Sequence, residues 1–305
     1  AKVRRFSPAR FFGVGLASAA GSAPRWGIPV ATGSALVFRS PSRAICFLAI
    51  HDPFHIVPKS GNLCRRLVVG DGPLSHVSSA GSSALSSALS SALPPAPGYG
   101  AGDLAGVLPS VAASLGVKGF TGTLPQARGA VVVLVDGLGL ELLRARSGHA
   151  PFLRSLLPGS TPATAGFPAT TATSMGTFGT GLPPGAHGLL GYQVVDPDTG
   201  QLFNELSWED GPDPRTWQRE TTVFERVAAA GIATTMVAND YFEGSGLTTA
   251  ALRGAGFATA ATLAQRVDLV LARLRQQPRS LTYLYWGNLD RTGHEHGCGS
   301  WEWVD

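Results

Sequence analysis

The six residues Ala130–Val135, AVVVLV, constrain this chain more than any other stretch. A short β-branched run that is apolar on both faces has nowhere to sit but inside a parallel sheet covered on both sides. Asp136-Gly137 stops it. A second run, Leu281–Trp286 (LTYLYW), has the same character and extends towards Leu289, with Asp290 next and His294 four residues on. Between them, Thr222–Ala230 has helical spacing, Ala233–Val237 reads as strand, Leu247–Arg253 as a short helix and Ala260–Gln276 as a long one. Alternating helices and strands predict an α/β fold with a mostly parallel central sheet and helices on both faces. Ligands of such sheets lie beyond the carboxyl ends of the strands. Asp136 and Asp290 both fall there, which predicts one shared site.

Upstream, Leu104–Leu115 is a helix that Pro109 divides in two, with Asp103 as its N-cap. Leu140–Arg146 and Pro151–Leu157 read as further helices. Gln193–Trp208 reads as strand and turn, the turn marked by Asp196-Pro197-Asp198-Thr199-Gly200.

The first third of the chain is different. Residues 1–97 hold no sustained period of 3.6 or 2.0, and Ser82–Leu93 is SSAL three times over, a low-complexity tract. We read 1–97 as an irregular, low-complexity or disordered leader and 98–305 as the folded domain. Arg4-Arg5 followed by Phe11–Ala23 has parts of an export signal. However, Arg10 borders a weak apolar core, so the disordered leader is the preferred reading and the expected location is cytoplasmic.

Charge supports this division. Residues 1–100 carry ten Lys/Arg against Asp52 and Asp71, whereas residues 101–305 carry fourteen against eighteen Asp/Glu. The basic excess belongs to the leader, so the folded part offers no nucleic-acid surface. Cys46, Cys64 and Cys298 form no C-x-x-C pair and no disulfide framework. There is no apolar run of 18 residues, and hence no expected transmembrane helix.

The stretch Phe167–Tyr192, FPATTATSMGTFGTGLPPGAHGLLGY, packs hydroxyls at the start of a short helix, Ala172–Phe178. A threonine hydroxyl is a poor nucleophile unless a base or a metal activates it, and a helix start attracts phosphate. Thr170, Thr171, Thr173 and Ser174 therefore read either as part of a phosphoryl-transfer site or simply as caps of that helix. Asp136 reads either as a Mg²⁺ or Zn²⁺ ligand or as the capping acid of a strand–Gly turn. Asp290 and His294 have a spacing that reaches one ion if the loop between them coils once. His296 reads as a surface loop residue, and His187 as structural, hydrogen-bonding across its turn. Walker A and G-x-S-x-G patterns are absent, which disfavours P-loop and α/β-hydrolase readings.

Taken together, VDGLG at 135–139, FPATTATS at 167–174, GTGLPPGAHGLLGY at 179–192 and LDRTGHEHG at 289–297 resemble the nucleotide pyrophosphatase/phosphodiesterase branch of the alkaline phosphatase superfamily. The resemblance covers roughly residues 98–305. It implies an alkaline-phosphatase-like fold and a metal-dependent hydrolase of phosphodiester or pyrophosphate bonds, with nucleotide-type substrates. It also implies two zinc ions. Asp136 would be a ligand of one, with Thr171 bound to it as nucleophile; Asp290 and His294 would be ligands of the other. A phospho-threonine intermediate would follow in-line attack. Tyr192 stands where eukaryotic members carry a phosphate-binding Asn. The family's later S-D-H-G segment and final His do not occur before Asp305. The chain is thus expected to be a fragment in which each zinc keeps two protein ligands and binds poorly. The alternatives are a phosphomonoesterase, sulfatase or phosphonate hydrolase of the same superfamily, or a non-catalytic remnant.

Overall fold

The computed structural model describes residues 34–40, 43–50, 97–100 and 102–305, the first two segments as backbone. The low-complexity tract at Ser82–Leu93 and the arginine-flanked segment at 1–25 lie outside the described residues.

The strands are β1 (Ser34–Ser40), β2 (Arg43–Ile50), β3 (Gly129–Asp136), β4 (Gln193–Val195), β5 (Leu202–Asn204), β6 (Ala233–Ala238), β7 (Gly256–Thr259) and β8 (Ser280–Trp286). One sheet runs β1-β2-β3-β8-β6-β7, and a separate hairpin pairs β4 with β5. Within the large sheet β2, β3, β8, β6 and β7 are parallel; β1 alone is antiparallel, paired with β2. The edge strand β1 and its neighbour β2 come from the stretch whose periodicity is irregular. In β2, RAICFLAI is an apolar run of the same kind as AVVVLV, and its parallel register sets Ile50 opposite Asp136. The interior positions of β3 and β8 follow from their composition, because each is flanked by strands on both edges and apolar on both faces.

Alternation assigns the two faces. Ala130, Val132 and Leu134 of β3 pair in register with Leu281, Tyr283 and Tyr285 of β8, and all six enter the larger core. That core is closed by helices α1 (Val107–Ser114), α2 (Thr171–Thr180) and α3 (Val223–Ala229). On the opposite face Val131, Val237 and Leu284 meet Val270 and Leu274 of helix α4 (Leu263–Gln276). Each face of the sheet is thus covered, as the two-sided apolar runs require.

Local chemistry sets the helix boundaries. Asp103 caps a 3-10 turn at Leu104–Gly106, which passes directly into α1, so Pro109 falls in the first turn of α1, where its missing N–H costs nothing. Thr222 and Glu225 form a reciprocal capping box on α3, and Thr262 and Gln265 do the same on α4. This box shortens the long helix expected from Ala260: α4 begins at Leu263, and β7 occupies the residues before Ala260. Gly179, inside α2, is the point at which Gly246–Ala251 crosses: a Cβ there would sit 1.8 Å from the Ala251 carbonyl oxygen.

Candidate active site

The apolar run of β8 ends at Trp286, four residues before Asp290. Asp290 and His294 are not on a coiled loop. They belong to helix α5 (Asn288–His296), one turn apart on one face, with His294 Nε2 3.5 Å from Asp290 Oδ2. Residues four apart on a helix are neighbours, so the D-x-x-x-H spacing is satisfied by ordinary helix geometry. His296 is on the same helix rather than a surface loop, and its ring lies 3.8 Å from Glu295 and 4.0 Å from Glu302.

Asp136 ends β3 and is 4% exposed. Its Oδ1 accepts the Gly137 N–H at 3.1 Å. Its Oδ2 accepts the Tyr285 phenol at 2.7 Å and the Thr171 hydroxyl at 3.4 Å. Gly137 brings the second acid close. It has φ +77°, and a Cβ there would lie 2.5 Å from Asp290 Cα. Only a residue without a side chain lets the turn after β3 lie against the first turn of α5. Burial and the nearby Asp290 charge together raise the Asp136 carboxyl from 3.8 to about 7, against the lowering effect of its three hydrogen-bond donors. Two acids crowded together with one buried form an arrangement suited to cations.

Thr170 and Thr171, adjacent hydroxyls at the same helix start, have separate tasks. Thr170 is the N-cap of α2, its side-chain oxygen accepting the Thr173 N–H at 3.4 Å. Thr171 is the first residue of the helix proper and turns its hydroxyl to Asp136. Its position at the amino end of a ten-residue helix also places unpaired N–H groups and the positive helix pole beside it.

Asp136, Thr171, Tyr192 and Asp290 all line one cavity of 360 Å³. His294 joins through Asp290. Most of the remaining wall is apolar or aromatic, Met175, Met236, Phe242 and Leu247 among it, with Asn204, Ser207, Ser245 and Thr248 as its polar members. The turn leading into Tyr192 is held by Glu205, a buried carboxylate that the sequence reading did not single out and whose backbone N–H also donates to the Tyr192 carbonyl at 3.0 Å. Its Oε2 accepts the Leu190 and Gly191 N–H groups, each at 3.0 Å, and its Oε1 accepts the Trp217 indole at 2.9 Å. Burial pushes the Glu205 carboxyl up.

Tyr285 was also missed, although a signal existed. Alternation along LTYLYW puts Tyr283 and Tyr285 on the face shared by Val132 and Leu134, and therefore by Asp136. His187 lies within the core rather than at the site. Its Nδ1 accepts the Leu189 N–H at 3.1 Å, so the proton sits on Nε2, which donates to Thr177 Oγ1 at 3.0 Å. Burial lowers its pKa to about 4.

Known proteins were compared with the chain. None of the curated proteins matches. Among solved structures, murine ectonucleotide pyrophosphatase/phosphodiesterase 5 is similar at 23% identity and a TM-score of 0.34, over 43% of this chain and 35% of that one. An inactive form of the same murine protein in complex with AMP is similar at 22% identity and a TM-score of 0.35, over 44% and 36%. The chain therefore spans about a third of the length of these structures. The family model described as type I phosphodiesterase / nucleotide pyrophosphatase matches residues 130–305, more than half of the chain and every residue of the cavity described above. On that match the chain belongs to the type I phosphodiesterase / nucleotide pyrophosphatase family.

Proposed function

We propose that the site hydrolyses phosphodiester or pyrophosphate bonds, with Thr171 as nucleophile. The observation that carries this reading is the division of labour at the start of α2: Thr170 supplies the cap, and Thr171 is left to face Asp136.

The donors present suit divalent cations in type: two carboxylates, one imidazole and one hydroxyl. They stand as two pairs, Asp136 with Thr171 and Asp290 with His294. Among the described residues no group of three His, Cys, Asp or Glu gathers to hold one ion. Each pair would thus give two ligands to a cation, zinc being the one the family's pattern implies. Bound there, the cations would neutralise the phosphoryl oxygens and the Thr171 alkoxide.

The chain's own groups do the rest. Asp136 Oδ2 is the acceptor towards which the Thr171 hydroxyl proton points. The amino end of α2 favours the anionic phosphoryl group beside Thr171. In the reaction the bond from Thr171 Oγ1 to phosphorus forms as the bond to the leaving oxygen breaks, and water then cleaves the threonine ester. Tyr192 and the apolar wall surround the ester group that takes no part in the bond exchange. Nucleotide-type esters, which pair a phosphate with an uncharged ring system, fit a cavity of this size and lining.

Turnover of bis(p-nitrophenyl) phosphate and of p-nitrophenyl phosphate in the presence of zinc tests the proposal. The diester should be the better substrate, and Thr171→Ala should abolish turnover while leaving the melting temperature nearly unchanged. Equal turnover by Thr171→Ala would refute the nucleophile. Faster hydrolysis of the monoester would reassign the chemistry to phosphomonoesters.

A further inference from the structure

Arg266, on the first turns of α4, is 1% exposed. Its guanidinium meets neutral oxygens: Nε donates to Ala260 O at 2.9 Å, Nη1 to Tyr285 O at 2.6 Å, and Nη2 to Ala261 O at 3.4 Å and to Asn239 Oδ1. It also lies over the Trp286 ring, 4.9 Å from the centroid. Among the described residues no carboxylate is paired with it. A buried cation without a counter-charge is costly, and a hydrophobic residue of the same volume would serve stability as well or better. The arrangement therefore calls for another explanation.

The acceptors supply one. Asn239 follows β6, Ala260 and Ala261 follow β7, and Tyr285 belongs to β8, so the planar fork of Arg266 ties together the carboxyl ends of three adjacent strands. Two limbs run on from it to the cavity. Asn239 Nδ2 donates to the Tyr241 hydroxyl at 2.9 Å. Tyr241 leans on Phe242 with ring centroids 4.3 Å apart, and Phe242 stands edge-on to Tyr285 at 5.3 Å and 90°. Tyr285 then donates to Asp136. Tyr241, Phe242, Tyr285 and Asp136 all line the 360 Å³ cavity.

We infer that Arg266 is a positioning residue, its guanidinium fixing the Tyr241–Phe242 wall and the Tyr285 floor against which the ester group of a substrate rests. The inference relies on the proposed hydrolase for its substrate. The clamp itself is a matter of the fold and can be read without turnover.

Two variants test it. Asn239→Ala, at a half-buried position, removes the limb to Tyr241 together with one acceptor of the guanidinium, and leaves the bonds to Ala260, Ala261 and Tyr285 in place. Arg266→Lys keeps the charge and removes the fork. The first readout is the split between KM and kcat for bis(p-nitrophenyl) phosphate. The second is the ¹³C-methyl spectrum of Met175 and Met236, the two methionines of the chain, both of which line the cavity.

Asn239→Ala should raise KM on the order of tenfold with a smaller change in kcat. Arg266→Lys should raise KM and lower kcat, together on the order of a hundredfold in kcat/KM, as displacement of a reacting group's support does. Both should shift the two methyl signals and weaken their response to added phenylphosphonate. Folded variants with wild-type KM and wild-type methyl signals, differing only in melting temperature, would overturn the inference. If the wild-type chain turns over no diester, yet its methyl signals move with Asn239→Ala, the hydrolase reading fails and the clamp stands.

Discussion

Asp136 and Asp290 lie on either side of Gly137 but are supported in opposite ways. Asp136 is the last residue of an interior strand, almost fully buried, and takes three hydrogen bonds from Gly137, Thr171 and Tyr285. Asp290 sits in the first turn of α5, half-buried, beside a His294 side chain that is 46% exposed. One carboxylate is placed by the sheet and its core, the other by a surface helix. A charge fixed by the core has its pKa set by burial. A charge on a surface helix stays close to solvent. In the proposed site a cation would meet one rigid wall set in the core and a second wall carried on a surface helix.

The strongest way to break this arrangement is at the contact between the halves. Gly137→Ala places a Cβ within 2.5 Å of Asp290 Cα in a backbone conformation that L-residues avoid. We expect it to unfold the chain or cost more than about 4 kcal/mol by urea denaturation, the class of effect reserved for backbone clashes and buried charges.

Titration reads two buried groups, Asp136 and His187, whose shifts have opposite signs. The folded Asp136 binds its proton up to about pH 7 while the unfolded carboxyl releases it near 3.8. The folded state therefore holds more protons across that window, and Asp136 makes the metal-free chain less stable as pH rises from about 4 to about 7. His187 has the opposite sign. Its folded pKa is about 4 against 6.5 unfolded, so its contribution grows as pH rises through that interval and is lost towards pH 4. At full extent the effects are on the order of 4 kcal/mol for Asp136 and 3 kcal/mol for His187, by the value of about 1.4 kcal/mol per pKa unit. Asp136→Asn should leave a metal-free chain whose stability rises with pH up to about 6.5. His187→Gln should leave one whose stability falls. Urea midpoints between pH 4 and pH 7.5 decide; parallel profiles for all three proteins would contradict both assignments.

Tyr285→Phe probes the rigid wall alone. If Asp136 holds zinc as proposed, losing the phenol that orients it should weaken zinc binding about 10- to 100-fold in a competition titration, the range found for partners of metal ligands. The fold should persist, because the ring still packs edge-on against Phe242. The smallest effect belongs to the neighbouring threonine. Thr170→Ala should cost about 1 kcal/mol in thermal or chemical unfolding, as for a lost N-cap, and leave turnover intact, the reverse of Thr171→Ala.

Much of the fold was legible in the sequence. AVVVLV and LTYLYW could only be interior strands, whereas the inner row of α4, Arg266, Val270 and Leu274, does not follow from its apolar residues alone. Boundaries shifted where capping chemistry competed with periodicity: Thr262 and Gln265 moved the start of the long helix, and the strand ending at Trp286 was shorter than its apolar run suggested. The strands β1 and β2 escaped notice because their surroundings show no steady period, although RAICFLAI alone has the apolar density of a parallel strand. The residues Asp136, Thr171, Tyr192 and Asp290 could be named from the chain, and the structure brings them to one cavity. Tyr285, Glu205 and Arg266 could not, since each acts on groups far away in sequence.

The sequence by itself determined the parallel α/β layering, the acids at two strand ends and a hydroxyl-rich helix start between them. These follow from local rules: two-sided apolar runs, capping preferences and the four-residue repeat of a helix. Only the tertiary structure decided that β3 and β8 are neighbours and that Thr170 is spent on capping α2. It also decided that a buried phenol and a buried guanidinium hold the cavity in shape. The physical reason is that hydrogen bonds such as Tyr285 to Asp136 join residues 149 positions apart. A pairing of that kind is fixed by strand order and register, which no local pattern encodes.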